Sequence, residues 1–264
     1  MFTHNLDPIL LDLGFISIRW YSLSYIFGIF FGWWYGRLII QKRINTAIAR
    51  KLELKEFDDL ITYIIISLIV GGRLGYVIFY NLSYYILNPI DIFKLWQGGM
   101  SFHGALIGII IGTYLFSIKK NLQLFVLLDV IACVAPIGIF LGRIANFING
   151  ELIGKVTTIK WAVIFPNYDK IPRHPSQLYE ALLEGLLLFF IMQFLISKKY
   201  RIGVCSSSFL ISYGILRIFS EYFREPDIQL GYFFDLLSMG TILSFFMIIA
   251  GVLILNTIKH KNEI

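Results

Sequence analysis

Residues 142–154 read Gly-Arg-Ile-Ala-Asn-Phe-Ile-Asn-Gly-Glu-Leu-Ile-Gly and follow directly on an apolar stretch, residues 124–141. Arg143 and Asn146 stand one helical turn apart, with Glu151 close behind. Polar groups of this kind at the edge of an apolar helix are costly and mark functional sites. A second set, Tyr213, Arg217, Glu221 and Arg224, recurs at i, i+4, i+8 and i+11 and forms one polar stripe on an otherwise apolar helix. Arginine forks match the oxygens of phosphate. Arg73, in the run Gly71-Gly72-Arg73-Leu74-Gly75-Tyr76, adds a third cation within an apolar segment. At about 2.5–3.5 kcal/mol each on insertion scales, Arg73, Arg143 and Arg217 ask for roughly 8–10 kcal/mol of compensation. Glu151 and Glu221 supply part of it as partners, and the remainder fits a bound anion such as a lipid phosphate. His103 opens another apolar helix beside Gly98, Gly99 and Gly104. Its titration near neutrality suits a general base. Arg73 either joins the anion site or braces the bundle, and both readings stay open at this point.

The elements that position these residues follow from hydropathy. Seven helices are expected, over residues 21–40, 60–80, 102–117, 124–141, 178–197, 204–222 and 233–257. The 264 residues are 57% hydrophobic and only 15% charged, against about 25% charged in soluble domains, so a soluble globular fold is excluded. The net charge of +6 is spread between apolar stretches rather than gathered on one face, which points away from nucleic acid. Lys42, Arg43, Arg50, Lys51 and Lys55, then Lys119 and Lys120, Lys198, Lys199 and Arg201, and Lys259 and Lys261 fall on one side of the predicted spans. The positive-inside rule makes that side cytoplasmic. The expected fold is therefore an all-α integral membrane protein: one domain over residues 1–264, a bundle of about seven transmembrane helices, N-terminus outside and C-terminus cytoplasmic. Segments 1–19, 81–100 and 143–176 would cap the outer side. Asp7 and Asp12 near the N-terminus argue against a cleaved signal peptide. Glycines at i, i+4, i+8 (Gly28, Gly32, Gly36; Gly104, Gly108, Gly112) and the pair Gly138 and Gly142 read as close helix contacts. Cys133 and Cys205 fall in different apolar segments and indicate neither a disulfide nor a metal site. Asp129, Glu180 and Glu184 sit in apolar helices and need buried partners.

The run from Gly142 to Gly154 resembles the signature of the prolipoprotein diacylglyceryl transferase family. Other blocks resemble that family in the same order: Arg19-Trp20-Tyr21, Gly71 to Asn81, Trp96 to Gly108, Arg173 to Gly185, Tyr213 to Asp227 and Leu237-Ser238-Met239-Gly240. Ala145 and Ala105 stand where the family commonly has glycine, and the external stretch 155–173 is short. The resemblance implies an enzyme of the bacterial inner membrane with its active site toward the outer face. It would move the sn-1,2-diacylglyceryl group of phosphatidylglycerol to the lipobox cysteine thiol at the signal peptide of a prolipoprotein, releasing glycerol phosphate. It maps the family's important residues onto Tyr21, His103, Arg143, Asn146, Glu151, Gly154, Tyr213, Arg217 and Glu221.

That chemistry fits the residue types. A thiol with a pKa of ~8.5 is only slightly ionised at neutral pH, so a base or a cationic field must favour the thiolate. Breaking the glycerol carbon to phosphate oxygen bond turns a monoanionic diester into a monoester approaching −2. Arg143 and Arg217 are expected to hold the added charge, Asn146 to donate beside Arg143, Glu151 and Glu221 to hold the arginines, and Tyr213 to bond the headgroup. His103 is the candidate base, and an arginine field that lowers the thiol pKa unaided is the alternative. No metal or organic cofactor is needed. A transporter for an anionic solute would use the same arginines but requires polar residues through the full depth of the bundle. The cytoplasmic halves of the spans are nearly continuous apolar sequence instead. A structural scaffold would leave the converging charges unexplained.

Overall fold

The computed structural model describes residues 2–14, 17–44, 52–95, 98–198, 201–225, 232–233 and 237–260; within these ranges the side chains of 43–44, 102–103, 232–233, 237 and 259–260 are outside the description. The chain opens with short strands β1 (Phe2–Thr3), β2 (Ile9–Asp12) and β3 (Ser17–Arg19) and enters helix α1 (Trp20–Ile39), which continues as a π-turn over Ile40–Ile44. Helix α2 (Leu54–Tyr80), the short α3 (Leu82–Leu87), a 3₁₀ turn (Pro89–Phe93) and α4 (Phe102–Lys120) follow. Helix α5 (Leu124–Asn149) leads to strands β4 (Val163–Ile164) and β5 (Pro172–Arg173). Next comes a continuous helix made of α6 (Ser176–Glu180), a π-segment (Ala181–Leu187) and α7 (Leu188–Ser197). Helix α8 (Val204–Glu221), strands β6 (Tyr232–Phe233) and β7 (Leu237–Ser238) and helix α9 (Met239–His260) complete the described chain.

Among the described residues, five helical segments are long and apolar enough to cross a membrane: Trp20–Lys42, Leu54–Tyr80, Leu124–Asn149, Ser176–Ser197 and Met239–Ile258. Phe27, Phe30, Trp34, Ile66, Phe190, Phe194, Phe246 and Leu253 on these segments face outward. So much exposed apolar surface on mostly helical elements belongs to a multi-pass membrane protein, whose solvent is lipid. Helices also form over Phe102–Lys120 and Val204–Glu221, where sequence periodicity predicts two further spans. Two details depart from the sequence reading. Short strands pair at the ends of helices, β2 antiparallel with β3 and β4 between β1 and β5. Helix α5 runs to Asn149, so Arg143 and Asn146 stand inside its last two turns rather than in a segment after it.

The described residues cluster in two compact units, 1–39 with 129–264, and 40–128. In the second unit, α2 begins with a capping box. The Glu53 backbone N–H donates to Glu56 Oε2 at 3.1 Å, and the Glu53 side chain accepts from the Glu56 backbone. The partner helix α4 begins with Ser101, whose hydroxyl accepts from the Gly104 N–H at 3.2 Å. The two helices meet through glycine. A Cβ on Gly75 would sit 2.6 Å from the Gly104 Cα, and one on Gly71 would sit 2.8 Å from the Gly108 Cα. In the first unit Gly28 of α1 meets the Gly138 Cα of α5 in the same way, at 3.1 Å. Gly142 departs from the packing expectation, because a Cβ there would meet nothing.

Candidate active site

Arg143 near the end of α5 and Arg217 near the end of α8 are brought together by carboxylates of a third helix. Glu180 closes α6 and Glu184 lies in the following π-segment. Arg143 sets Nη1 2.9 Å from Glu180 Oε2 and Nη2 3.2 Å from Glu184 Oε2. Arg217 sets Nη1 2.7 Å from Glu180 Oε1 and 3.3 Å from Glu184 Oε1, and Nη2 2.6 Å from Glu221 Oε2. Arg224 approaches Glu180 Oε1 at 3.5 Å. Ser220 Oγ donates to Glu184 Oε1 at 2.7 Å, and Ser238 Oγ donates to Glu221 Oε1 at 2.8 Å. Three arginines thus face three carboxylates. The Glu180 and Glu184 side chains are 0% exposed, whereas Arg143 keeps 17% of its side chain exposed. Two ionised carboxylates this deep are tolerable only because arginines neutralise them and a serine takes up a remaining lone pair.

This network corrects one sequence expectation. The anchors of Arg143 are Glu180 and Glu184, and Glu151 does not hold an arginine among the described contacts. Arg217 does meet Glu221 as expected. The paired acids at i, i+4 in an apolar span were the available signal for the network. Tyr213 stacks on Phe209 with ring centroids 5.8 Å apart and lies within electrostatic reach of Glu184, Arg143 and Arg217. Tyr21, its hydroxyl 3.1 Å from that of Tyr25, lies within electrostatic reach of Glu151 and Arg143.

Beyond Asn149 the backbone makes a tight turn, with φ of +66° at Gly150 and +56° at Leu152. A left-handed leucine costs about 1–2 kcal/mol, so neighbouring contacts must hold it there. The Glu151 N–H donates to the Asn146 carbonyl at 3.1 Å. Gln177 Nε2 donates to the Glu151 carbonyl at 2.7 Å, and Ser176 Oγ donates to the Leu152 carbonyl at 3.0 Å. Ser176 and Gln177 are both buried. The exposed Glu151 carboxylate accepts from Asn146 Nδ2 at 2.8 Å and from Asn149 Nδ2 at 3.3 Å. Ser176 and Gln177 stood in a family block, but nothing in their spacing announced that they brace this turn. Gly154 is wedged between backbones: a Cβ there would lie 2.8 Å from the Phe223 carbonyl and 2.7 Å from the His174 Cβ. Its glycine character serves that close approach.

The segment that follows this turn is held by two unlike clasps. Arg173 Nε donates to Asp169 Oδ2 at 2.8 Å, while its Nη1 donates to the Gly154 carbonyl at 2.9 Å and to Glu225 Oε2 at 3.1 Å. The hydrogen bond from Arg173 holds the Asp169 carboxyl below its usual range. Beside it, Trp161 Nε1 donates to the Tyr179 hydroxyl at 2.8 Å, and that hydroxyl lies 3.2 Å from His174 Nδ1. Burial pushes the His174 imidazole below its ordinary pKa.

The second unit holds Arg73 and His103. Arg73 is 3% exposed. Its Nε donates to the Ile92 carbonyl at 2.8 Å, its Nη1 to those of Gly98 and Gly99, and its Nη2 to those of Asp91 and Lys94 at 2.6 and 3.3 Å. Every nitrogen of the guanidinium is engaged by backbone carbonyls, the geometry that the bracing alternative calls for. His103 falls in the first turn of α4, and its side chain lies outside the described residues.

Residues 8–257 match the family model described as prolipoprotein diacylglyceryl transferase. Among curated relatives, the phosphatidylglycerol--prolipoprotein diacylglyceryl transferase of Rickettsia felis is 51% identical over 250 residues, covering 94% of this chain and 95% of its own length. The protein of the same name from Rickettsia typhi is 49% identical over 264 residues, 99% of this chain and 100% of its own. That of Ehrlichia ruminantium is 47% identical over 266 residues, 98% and 100%. The chain belongs to the prolipoprotein diacylglyceryl transferase family.

Proposed function

We propose that this protein transfers the sn-1,2-diacylglyceryl group of phosphatidylglycerol to the lipobox cysteine thiol of prolipoproteins, at the signal peptide, releasing glycerol phosphate. Relatives named for this activity at about half identity support the reaction class. The observation that carries the site is the meeting of Arg143 and Arg217 on shared carboxylates, with Arg143 partly exposed. The thiolate sulfur attacks the sn-3 carbon of the diacylglyceryl group, a carbon–sulfur bond forms, and the carbon–oxygen bond to phosphate breaks with its electron pair on the leaving monoester. Arg143 and Arg217 take the growing charge, which requires exchanging part of their contact with Glu180 and Glu184 for phosphate oxygens. Asn146 and Glu151 form the wall beside Arg143, Gly154 lets the turn that carries Glu151 pack closely, Glu221 aims Arg217, and Tyr213 and Tyr21 bound the headgroup. The thiol proton goes to a base, for which His103 is the proposed residue on family resemblance and on the suitability of the imidazole group for proton transfer. Arg73 holds the backbone of Asp91, Ile92, Lys94, Gly98 and Gly99 in place.

The distribution of lysine and arginine supports seven spans in a single membrane domain of the bacterial inner membrane, with the N-terminus and the active site on the outer face. The test is direct. Purified protein incubated with phosphatidylglycerol and a lipobox peptide should add the mass of one diacylglyceryl group to the peptide. A peptide of unchanged mass overturns the proposal.

A further inference from the structure

The turn around Glu151 carries an unusual surplus of hydrogen-bond acceptors. Three amide side chains direct their N–H groups at this one residue: Gln177 Nε2 at its carbonyl, and Asn146 Nδ2 and Asn149 Nδ2 at its carboxylate. These bonds fix which end of each amide is oxygen, since a flipped amide would set oxygen against oxygen. Of the oxygens left over, Gln177 Oε1 and Asn149 Oδ1 are both buried and have no hydrogen-bond partner among the described residues. Gln177 itself is 0% exposed. Buried polar atoms are almost always satisfied, and each exception calls for an explanation. Two such exceptions flanking one residue, whose exposed carboxylate is itself an acceptor, describe a site that seeks donors.

We infer that Gln177 Oε1, Asn149 Oδ1 and the Glu151 carboxylate form an acceptor cluster that reads the hydroxyl groups of the phospholipid headgroup. The inference rests on the proposed function and assigns the headgroup end of that site. A glycerol headgroup carries two neighbouring hydroxyls, each able to donate. An anionic carboxylate beside two neutral amide oxygens accepts both without a cation. A headgroup lacking hydroxyls leaves the acceptors unpartnered, and sites built to bond a hydroxyl reject analogues that lack it far more strongly than apolar pockets reject an extra methylene.

The experiment compares phosphatidylglycerol with phosphatidylpropanol in the peptide transfer assay. The bond broken is the same in both lipids, and the leaving phosphate monoesters differ only in the two hydroxyls. Wild-type protein should show kcat/KM at least about 100-fold higher with phosphatidylglycerol, a size set by unpaired polar groups in a recognition site. Gln177→Leu and Asn149→Leu should each narrow that ratio by about tenfold, because they slow transfer from phosphatidylglycerol much more than transfer from phosphatidylpropanol. Equal use of both lipids by the wild type overturns the inference while leaving the transferase reading intact. So does an equal loss on both lipids in the variants, which would assign the amides to bracing the turn. Absence of transfer from phosphatidylglycerol by the wild type would instead overturn the underlying reading. The wild-type ratio decides the matter even if a variant fails to fold.

Discussion

Arg73 and the pair Arg143 and Arg217 are the same residue type in apolar helices, yet they are solvated in opposite ways. Arg73 is surrounded by five backbone carbonyls of residues 91–99. Arg143 and Arg217 are surrounded by side-chain carboxylates on separate helices. Carbonyl dipoles immobilise a guanidinium without cancelling its charge, and they can be removed only by unravelling the backbone that bears them. Carboxylates cancel the charge but sit on rotatable side chains, so another anion of suitable geometry can replace them. The first arrangement suits a brace, and the second suits a group that must hand its donors to a phosphate during a reaction.

Arg73→Ala should produce the largest change, and in stability rather than chemistry. Removing a buried cation with five acceptors costs about 3–5 kcal/mol. In detergent the variant should denature earlier and be cleaved more readily by protease within residues 91–99, while the fraction that remains folded keeps a near-normal kcat. A collapse of kcat in well-folded Arg73→Ala protein would break the contrast drawn above. Arg143→Lys should do the reverse. Lysine keeps the charge but loses the fork, and transfer should fall about 10²–10³-fold, or roughly 3–4 kcal/mol of transition-state stabilisation. Membrane insertion and thermal stability should stay close to wild type. Near-normal transfer would refute the phosphate role.

The contrast also marks what was legible in the sequence. Residue type and spacing single out Arg143, Arg217, Glu221, Asn146 and Glu151 as candidates, because polar groups at an apolar segment are visible without coordinates. Apart from the Arg217 and Glu221 pair, what those arginines touch was not legible. Glu180 and Glu184 look like any acids needing partners, and their alignment depends on the π-segment over Ala181–Leu187, which hydropathy does not reveal. Arg73 was ambiguous for the same reason, since carbonyl partners leave no trace in residue types. The predicted spans fell close to the observed helices, as runs of apolar residues must. The continuation of α5 through Arg143 to Asn149 was obscured because polar residues that face a buried network look, in one dimension, like a loop.

The same opposition recurs on a smaller scale in the segment that follows α5, where a neutral clasp adjoins an ionic one. His174, Tyr179 and Trp161 bond as neutral groups, whereas Arg173 bonds Asp169 and Glu225 as ions. Burial depresses the folded-state pKa of His174, so the unfolded chain binds the proton more readily. Its contribution to stability is therefore complete above the unfolded value of about 6.5 and is lost as the pH falls below it toward the folded value. Asp169 is depressed as well, by the hydrogen bond from Arg173, but its unfolded value is that of an ordinary carboxylate near 3.9. The ionic clasp is thus fully formed above about pH 4 and weakens only as the pH drops through the folded value. Between roughly pH 6.5 and 4 the two should separate. Hydrogen exchange should show the backbone around Trp161 and Tyr179 loosening first, with the amides near Asp169 and Arg173 still protected. His174→Phe retains the ring contacts with Tyr179 and Phe223 and should abolish the early step. If loosening of both clasps coincides below pH 4, the neutral clasp carries no independent weight, and the difference between dipolar and ionic anchoring does not extend beyond the buried arginines.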